Sequence, residues 1–229
     1  MSAETKVPTG ADFEPSTWTG VVRKRWLKNL PPEKMLPESQ PSYVASWIYV
    51  FGMATIVAMV IAIVTGVIIT LGGVQWFHES STGRFFNSTH YWSVQLFFLF
   101  MVVHLWGKYW MSAWRGKRAL TWITGVLAFL TAVGVGFTGY VITTNFNAQW
   151  IAFEAKDVMN AIGVGSVFNV TNLGQMVTFH VAPLPVALVL IVAAHVLLVR
   201  KHGVVPPMDA IDHDAAAPAA ETESTEVAS

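Results

Sequence analysis

The chain has 229 residues, only 12% of them charged against 53% hydrophobic, with a net charge of zero. A soluble domain carries about 25% charged residues, so this composition excludes an ordinary water-soluble protein, and a nucleic-acid-binding surface with it. Without cysteine, disulfides, thiolate metal sites, thiol catalysis and covalent attachment of a prosthetic group through sulfur are excluded as well, and any bound group must be held by His or Met.

The chain divides into a cytoplasmic N-terminal segment (1–40), a membrane domain (41–205) and a tail (206–229). Residues 1–20 are polar, and Val21–Leu30 (VVRKRWLKNL) mixes basic and apolar residues as a helix lying on a membrane surface does, or an ordinary basic flank. The first apolar stretch begins beyond residue 40 and lacks a short cleavable pattern, so the N-terminus is expected to stay on the chain. PPEKMLPESQP (31–41) is a Pro-punctuated link into the membrane.

Residues 39–78, 85–107, 119–153 and 158–199 contain no Asp, Glu, Lys or Arg. Each run exceeds the roughly 20 residues that span a hydrocarbon core. The expected architecture is all-α, a membrane-embedded bundle of four helices near 44–72, 89–112, 120–143 and 176–200. The long connection 144–175 carries Trp150, Ile151, Phe153 and Val158 beside a few polar groups, as an interfacial helical segment does. Beyond Pro207 the composition turns to Ala, Glu, Ser and Thr, which predicts disorder.

Twelve of the fourteen basic residues fall before the first span, between the second and third, or after the fourth; only Arg84 and Lys156 lie in the other two loops. Lys and Arg are retained on the cytoplasmic side, so both termini should face that (negative) side, with an even number of spans.

Four histidines sit in the uncharged runs: His90 and His104 fourteen apart, His180 and His195 fifteen apart. At about 100° and 1.5 Å per residue, each pair comes within about 60° of one helix face and is separated along the axis by about 21–22 Å. The second and fourth spans run the same way, so His90 pairs with His180 near the positive side and His104 with His195 near the negative side. Two such sites suit two bis-imidazole haems, whose iron keeps no open position and transfers single electrons. Unrelated interhelical hydrogen bonds are the plainer reading of a lone intramembrane His, and matched spacing on two helices argues against it. Gly52 and Gly66, and Gly125 and Gly139, are also fourteen apart, which would let a flat macrocycle approach the backbone; close packing of membrane helices also favours such small residues.

Several stretches resemble cytochrome b, most closely its b6 type: Leu120–Tyr140 (LTWITGVLAFLTAVGVGFTGY), His180–Pro185 (HVAPLP) and His195–Gly203 (HVLLVRKHG), within a likeness running from about residue 40 to 207. The resemblance implies that the four His ligate two non-covalent b-type haems and that the four glycines line the haem edges. It also implies quinol oxidation at the positive side of a bc/b6f-type complex, with quinone reduction and proton translocation, in a bacterial cytoplasmic membrane. The implied partners are a subunit IV-like C-terminal half, a Rieske iron–sulfur protein and a c-type cytochrome in a dimeric complex. Lys108, Arg118, Arg200 and Lys201 would meet propionates or quinone, although retention of basic residues on the cytoplasmic side explains each equally well. Trp150 keeps its place beside the quinol pocket.

Departures from the family pattern are local. Asn87, Tyr91 and Gln175 stand where the family supplies Arg for the positive-side propionates, leaving Arg84 as the nearby substitute. Thr143–Phe146 (TTNF) replaces a Pro-Trp-Gly or Pro-Trp-Asp segment, Val50 stands where the b6 type attaches an extra haem through Cys, and the Pro-Glu-Trp-Tyr motif of later helices is absent. Two alternatives stay open: a di-haem quinone-linked membrane anchor of another respiratory oxidoreductase, and a haem-free helical scaffold or transporter subunit.

Overall fold

A computed structural model describes residues 17–35, 44 and 46–207. The expectations for residues 1–16, 36–43 and 45, and for the tail from 208 onward, lie outside the described residues.

All regular structure among the described residues is helical: α1 Trp18–Asn29, α2 Pro32–Met35, α3 Trp47–Glu79, α4 Ser81–Trp110, a 3₁₀ turn Gly116–Arg118, α5 Ala119–Val141, α6 Phe146–Ala161, α7 Leu173–Val181 and α8 Pro183–His202. Three segments are long and apolar enough to cross a membrane: Trp47–Glu79, Gly116–Val141 and Leu173–His202. The expected second span, α4, is 30 residues long, but Ser81, Thr82, Arg84, Asn87 and Ser88 dilute the apolar character of its first turns.

The spans differ from expectation at their ends. α3 continues to Glu79 through a break at Gly73, whose φ of 79° is open to glycine at little cost. Its last residue is followed by a single connecting residue, Ser80, whose N–H donates to the Trp76 carbonyl (3.0 Å) and whose Oγ accepts from the Gly83 N–H (2.9 Å), ending one helix and capping the next. α4 therefore starts at Ser81, eight residues earlier than polarity suggested. Gly83 is required there: a Cβ would meet the Trp76 carbonyl and the Phe77 backbone.

The expected fourth helix is two helices. Ala182 leaves helical geometry (φ −131°, ψ −80°) because Pro183 supplies no N–H and restricts the residue before it.

α3 packs along α4, and α5 along α7 and α8, while α4 meets α5 at few places. The bundle is thus two helix pairs facing each other. Ala58, Met59, Phe97, Met101, Ala128, Ala132 and Leu188 form the mid-bundle core. A second cluster, Val141, Ala152, Val170 and Met176, seats α6 over the end of α5 and α7. Most other large apolar residues face outward, among them Val60, Leu99, Leu130 and Leu190, as a lipid- or partner-facing surface requires.

Candidate functional site: two facing imidazole pairs

His90 and His180 come together at the end of the bundle covered by α6. Their ring centroids lie 6.3 Å apart with planes at 89°. The gap suits two metal–imidazole bonds of about 2 Å each plus the ring radii. At the opposite end, beside α1, His104 lies within electrostatic reach of His195.

Each ring is held by the helix behind it. His90 Nδ1 lies 2.8 Å from the Ala62 carbonyl on α3, His180 Nδ1 3.0 Å from Val135 O on α5, and His195 Nδ1 2.9 Å from Thr121 O on α5. A carbonyl only accepts, so each Nδ1 carries the proton and donates it, which leaves the Nε2 lone pair for a metal. His104 departs from this: its Nδ1 is buried without a hydrogen-bond partner.

The glycines lie against these rings. A Cβ on Gly66 would approach His90 Cε1 to 3.1 Å, on Gly52 His104 Cε1 to 3.0 Å, on Gly125 His195 Cε1 to 3.1 Å and on Gly139 His180 Cε1 to 2.5 Å. Each of these glycines stands against one imidazole, one glycine per ring. The reason is geometric, since α3 carries the ring of α4, and α5 that of α7 or α8, across its glycine face.

Among the described residues no group of three or more His, Cys, Asp or Glu gathers to hold a metal by side chains alone. Two imidazoles per site suit a group whose macrocycle supplies the remaining ligands, and the sparse contact between the helix pairs suits its planar shape. The donor set and the glycine faces therefore fit haem.

The other expected site residues scatter. Lys108, one turn beyond His104, sets its ammonium 3.6 Å from the Tyr49 ring centroid and 3.7 Å from Met111 Sδ. Arg118 donates to the carbonyls of Gly203 and Val204, both at 3.4 Å, tying the chain's exit from α8 to the start of α5. Arg200 and Lys201 are exposed in the last turn of α8. Lys201 borders a groove of about 620 Å³ with Arg25, Trp26, Leu120 and Thr124.

Arg84 donates to Glu79 O (3.0 Å) and His78 O (3.4 Å), so it caps the end of α3. Gln175 bridges the Asn169 N–H (2.6 Å) and the Val167 carbonyl (2.9 Å), fastening the α6–α7 connection where the family pattern called for a cation. Trp150 is exposed on α6.

The family model "Cytochrome b(N-terminal)/b6/petB" matches residues 95–223, more than half of the chain. The chain belongs to this cytochrome b/b6 family. It is 26% identical over 187 residues to the menaquinol:cytochrome c reductase cytochrome b subunit of Geobacillus thermodenitrificans, covering 72% of this chain and 84% of the relative. It is 25% identical over 190 residues to cytochrome b6 of Heliobacterium modesticaldum, with 73% and 89% covered. A solved hyperthermophilic respiratory complex III shares the fold with a TM-score of 0.65 and 20% identity, covering 80% of this chain and 53% of that one. This chain thus spans about half the length of its structural neighbour. As a cytochrome b/b6 family member with three membrane-capable helices, it is an integral membrane protein. His90 and the α3 glycines precede the matched residues, and the ring geometry connects them to His180 and His104.

Sequence reasoning passed over Thr65, Thr124 and Thr138. Each precedes a ring-facing glycine, and each hydroxyl lies 3.2–3.4 Å from a His Nδ1. The signal was present: three of the four glycines are written Thr-Gly.

Proposed function

We propose that this chain is the four-span, di-haem half of a split cytochrome b in a quinol-oxidising bc/b6f-type complex of a bacterial cytoplasmic membrane, with both termini on the negative side. The observation that carries it is the facing imidazole pair of His90 and His180, with His104 and His195 within electrostatic reach of each other at the opposite end of the bundle. When bound, two b-type haems supply one-electron couples at two depths, with no iron position open to oxygen or substrate.

The chain's own residues supply ligands and orientation. Ala62, Val135 and Thr121 carbonyls hold three rings in the Nδ1–H tautomer, so that Nε2 is the ligand atom. The glycines keep the space in which the rings stand. At the α1 end Lys108, Arg118, Arg200 and Lys201 are the cations for propionates or quinone; at the α6 end the exposed Trp150 is the residue assigned to the quinol region.

A C-terminal-half subunit would complete the quinol pocket. A Rieske protein and a c-type cytochrome would take one electron of each quinol while this subunit takes the other, with protons released on the positive side and taken up on the negative. The name of one relative, a menaquinol:cytochrome c reductase cytochrome b subunit, supports the quinol and cytochrome c parts of this assignment.

A reduced-minus-oxidised spectrum of the purified protein should show about two low-spin b-type haems per chain; absence of that signal sinks the electron-transfer reading. One observation favours a second reading, a di-haem quinone-linked anchor: Gln175 fastens a loop in place of the family's cation. Purification of the native complex separates the two. A Rieske protein with a three-span partner supports the split cytochrome, and an iron–sulfur subunit with a large catalytic subunit supports the anchor.

A further inference from the structure

The four rings are held by one repeated device with one exception. On α3 and α5 a ring-facing glycine follows a threonine, and the carbonyl three residues before that threonine accepts the Nδ1 proton: Ala62 before Thr65-Gly66, Thr121 before Thr124-Gly125, Val135 before Thr138-Gly139. Each threonine hydroxyl donates to its own helix: Thr65 to Ile61 O (2.6 Å) and Ala62 O (3.1 Å), Thr124 to Thr121 O (2.8 Å), Thr138 to Gly134 O (3.0 Å) and Val135 O (2.9 Å). With its proton so placed, the hydroxyl turns a lone pair toward the ring, at 3.3 Å from His90 Nδ1, 3.2 Å from His195 Nδ1 and 3.4 Å from His180 Nδ1. The ring N–H thus faces two acceptors that are fixed relative to each other.

The fourth cradle breaks the pattern. Phe51 stands before Gly52, and the matching carbonyl belongs to Ile48 in the first turn of α3, whose side chain lies against α4 at Gly107. His104 Nδ1 is buried there and has no hydrogen-bond partner among the described residues.

We infer that Thr65, Thr124 and Thr138 are positioning residues for three of the four ligand imidazoles, and that Phe51 leaves His104 the one ligand ring fixed by packing alone. The inference rests on the two-haem reading. Its consequence is an inequality inside one site: at the α1 end His195 is anchored and basic, while His104 lacks the acceptor that would raise its basicity. At the α6 end both ligands are anchored.

The test is electron paramagnetic resonance and redox titration of the haem-loaded complex, at one pH. The ferric low-spin signal reports the angle between the imidazole planes, and the midpoint potential reports ligand basicity. Phe51→Thr should move the g values of the α1-end haem and lower its midpoint, leaving the α6-end haem unchanged. Thr65→Val and Thr138→Val should move the signal of the α6-end haem alone, and Thr65→Ser and Thr138→Ser should restore it. Thr124→Val gives a second handle on the α1 end should Phe51→Thr fail to assemble. Threonine-to-valine variants with unchanged g values and midpoints overturn the inference, as does a Phe51→Thr shift confined to the α6-end haem. A wild-type protein without two low-spin haems overturns the underlying reading instead, and is recognised before any variant is made.

Discussion

Along α5 the turns Thr121–Gly125 and Val135–Gly139 repeat one arrangement, a carbonyl, a threonine and a glycine presented to a histidine of the facing helix. Residues 143–175, which close the bundle at the α6 end, repeat nothing. Asn145 caps α6 through Ala148 N–H, Asn172 caps α7 through Gln175 N–H, and Gln175 in turn fastens Val167 and Asn169. The bundle interior is constrained by ring positions that tolerate little displacement, whereas the closing segment is held by polar bonds that many sequences can supply.

The largest expected effect breaks the interior directly. Replacing His90 or His180 with Leu should abolish the α6-end haem and leave the other, and replacing His104 or His195 should do the reverse, read as the haem-to-protein ratio and the surviving spectral component. Loss of both haems from every single substitution would show that the two ends are not separate sites.

A smaller effect compares two glycines beside one site. At Gly139 an added Cβ would lie 2.5 Å from His180 Cε1, a distance that forces the ring to move, whereas at Gly66 it would lie 3.1 Å from His90 Cε1, which a shift of a few tenths of an ångström relieves. Gly139→Ala should therefore lower occupancy of the α6-end haem markedly and Gly66→Ala only slightly. Equal loss in the two variants would indicate that the glycines serve helix packing in general.

These comparisons also explain what the sequence disclosed. Spacing along one helix made His90 and His104 legible on α4, whereas His180 and His195 lie on α7 and α8, on either side of the break at Ala182, so their fifteen-residue interval pointed to the right residues without describing a single helix face. The glycine spacing was equally legible, but what each glycine faces depends on which helices pair, and α3 with α4 and α5 with α8 is a tertiary fact. The same dependence hid Thr65, Thr124 and Thr138, whose hydroxyls gain meaning only once a ring stands opposite. The start of α4 was missed for another reason: the polar stretch from Ser81 to Thr89 resembles a loop in composition, yet Ser80 caps it into a helix. The break at Ala182 was written in Pro183 but masked by the apolar run on both sides.

The smallest expected effect belongs to the closing segment, and it sharpens the contrast with the interior. Gln175 is half-buried, and its side chain makes two solvent-accessible hydrogen bonds to the backbone of the α6–α7 connection. A net contribution of about 1 kcal/mol per hydrogen bond is an upper guide at a solvent-accessible position. Gln175→Ala should therefore lower thermal stability modestly and raise protease sensitivity near Val167–Asn169. Both low-spin haem signals should remain, because His180 is fixed separately by Val135 O, by Thr138 and by the packing of Met176 beneath α6. If Gln175→Ala instead displaced the α6-end haem, the segment would be part of the ring-holding machinery, and the division between a constrained interior and a replaceable cover would not hold.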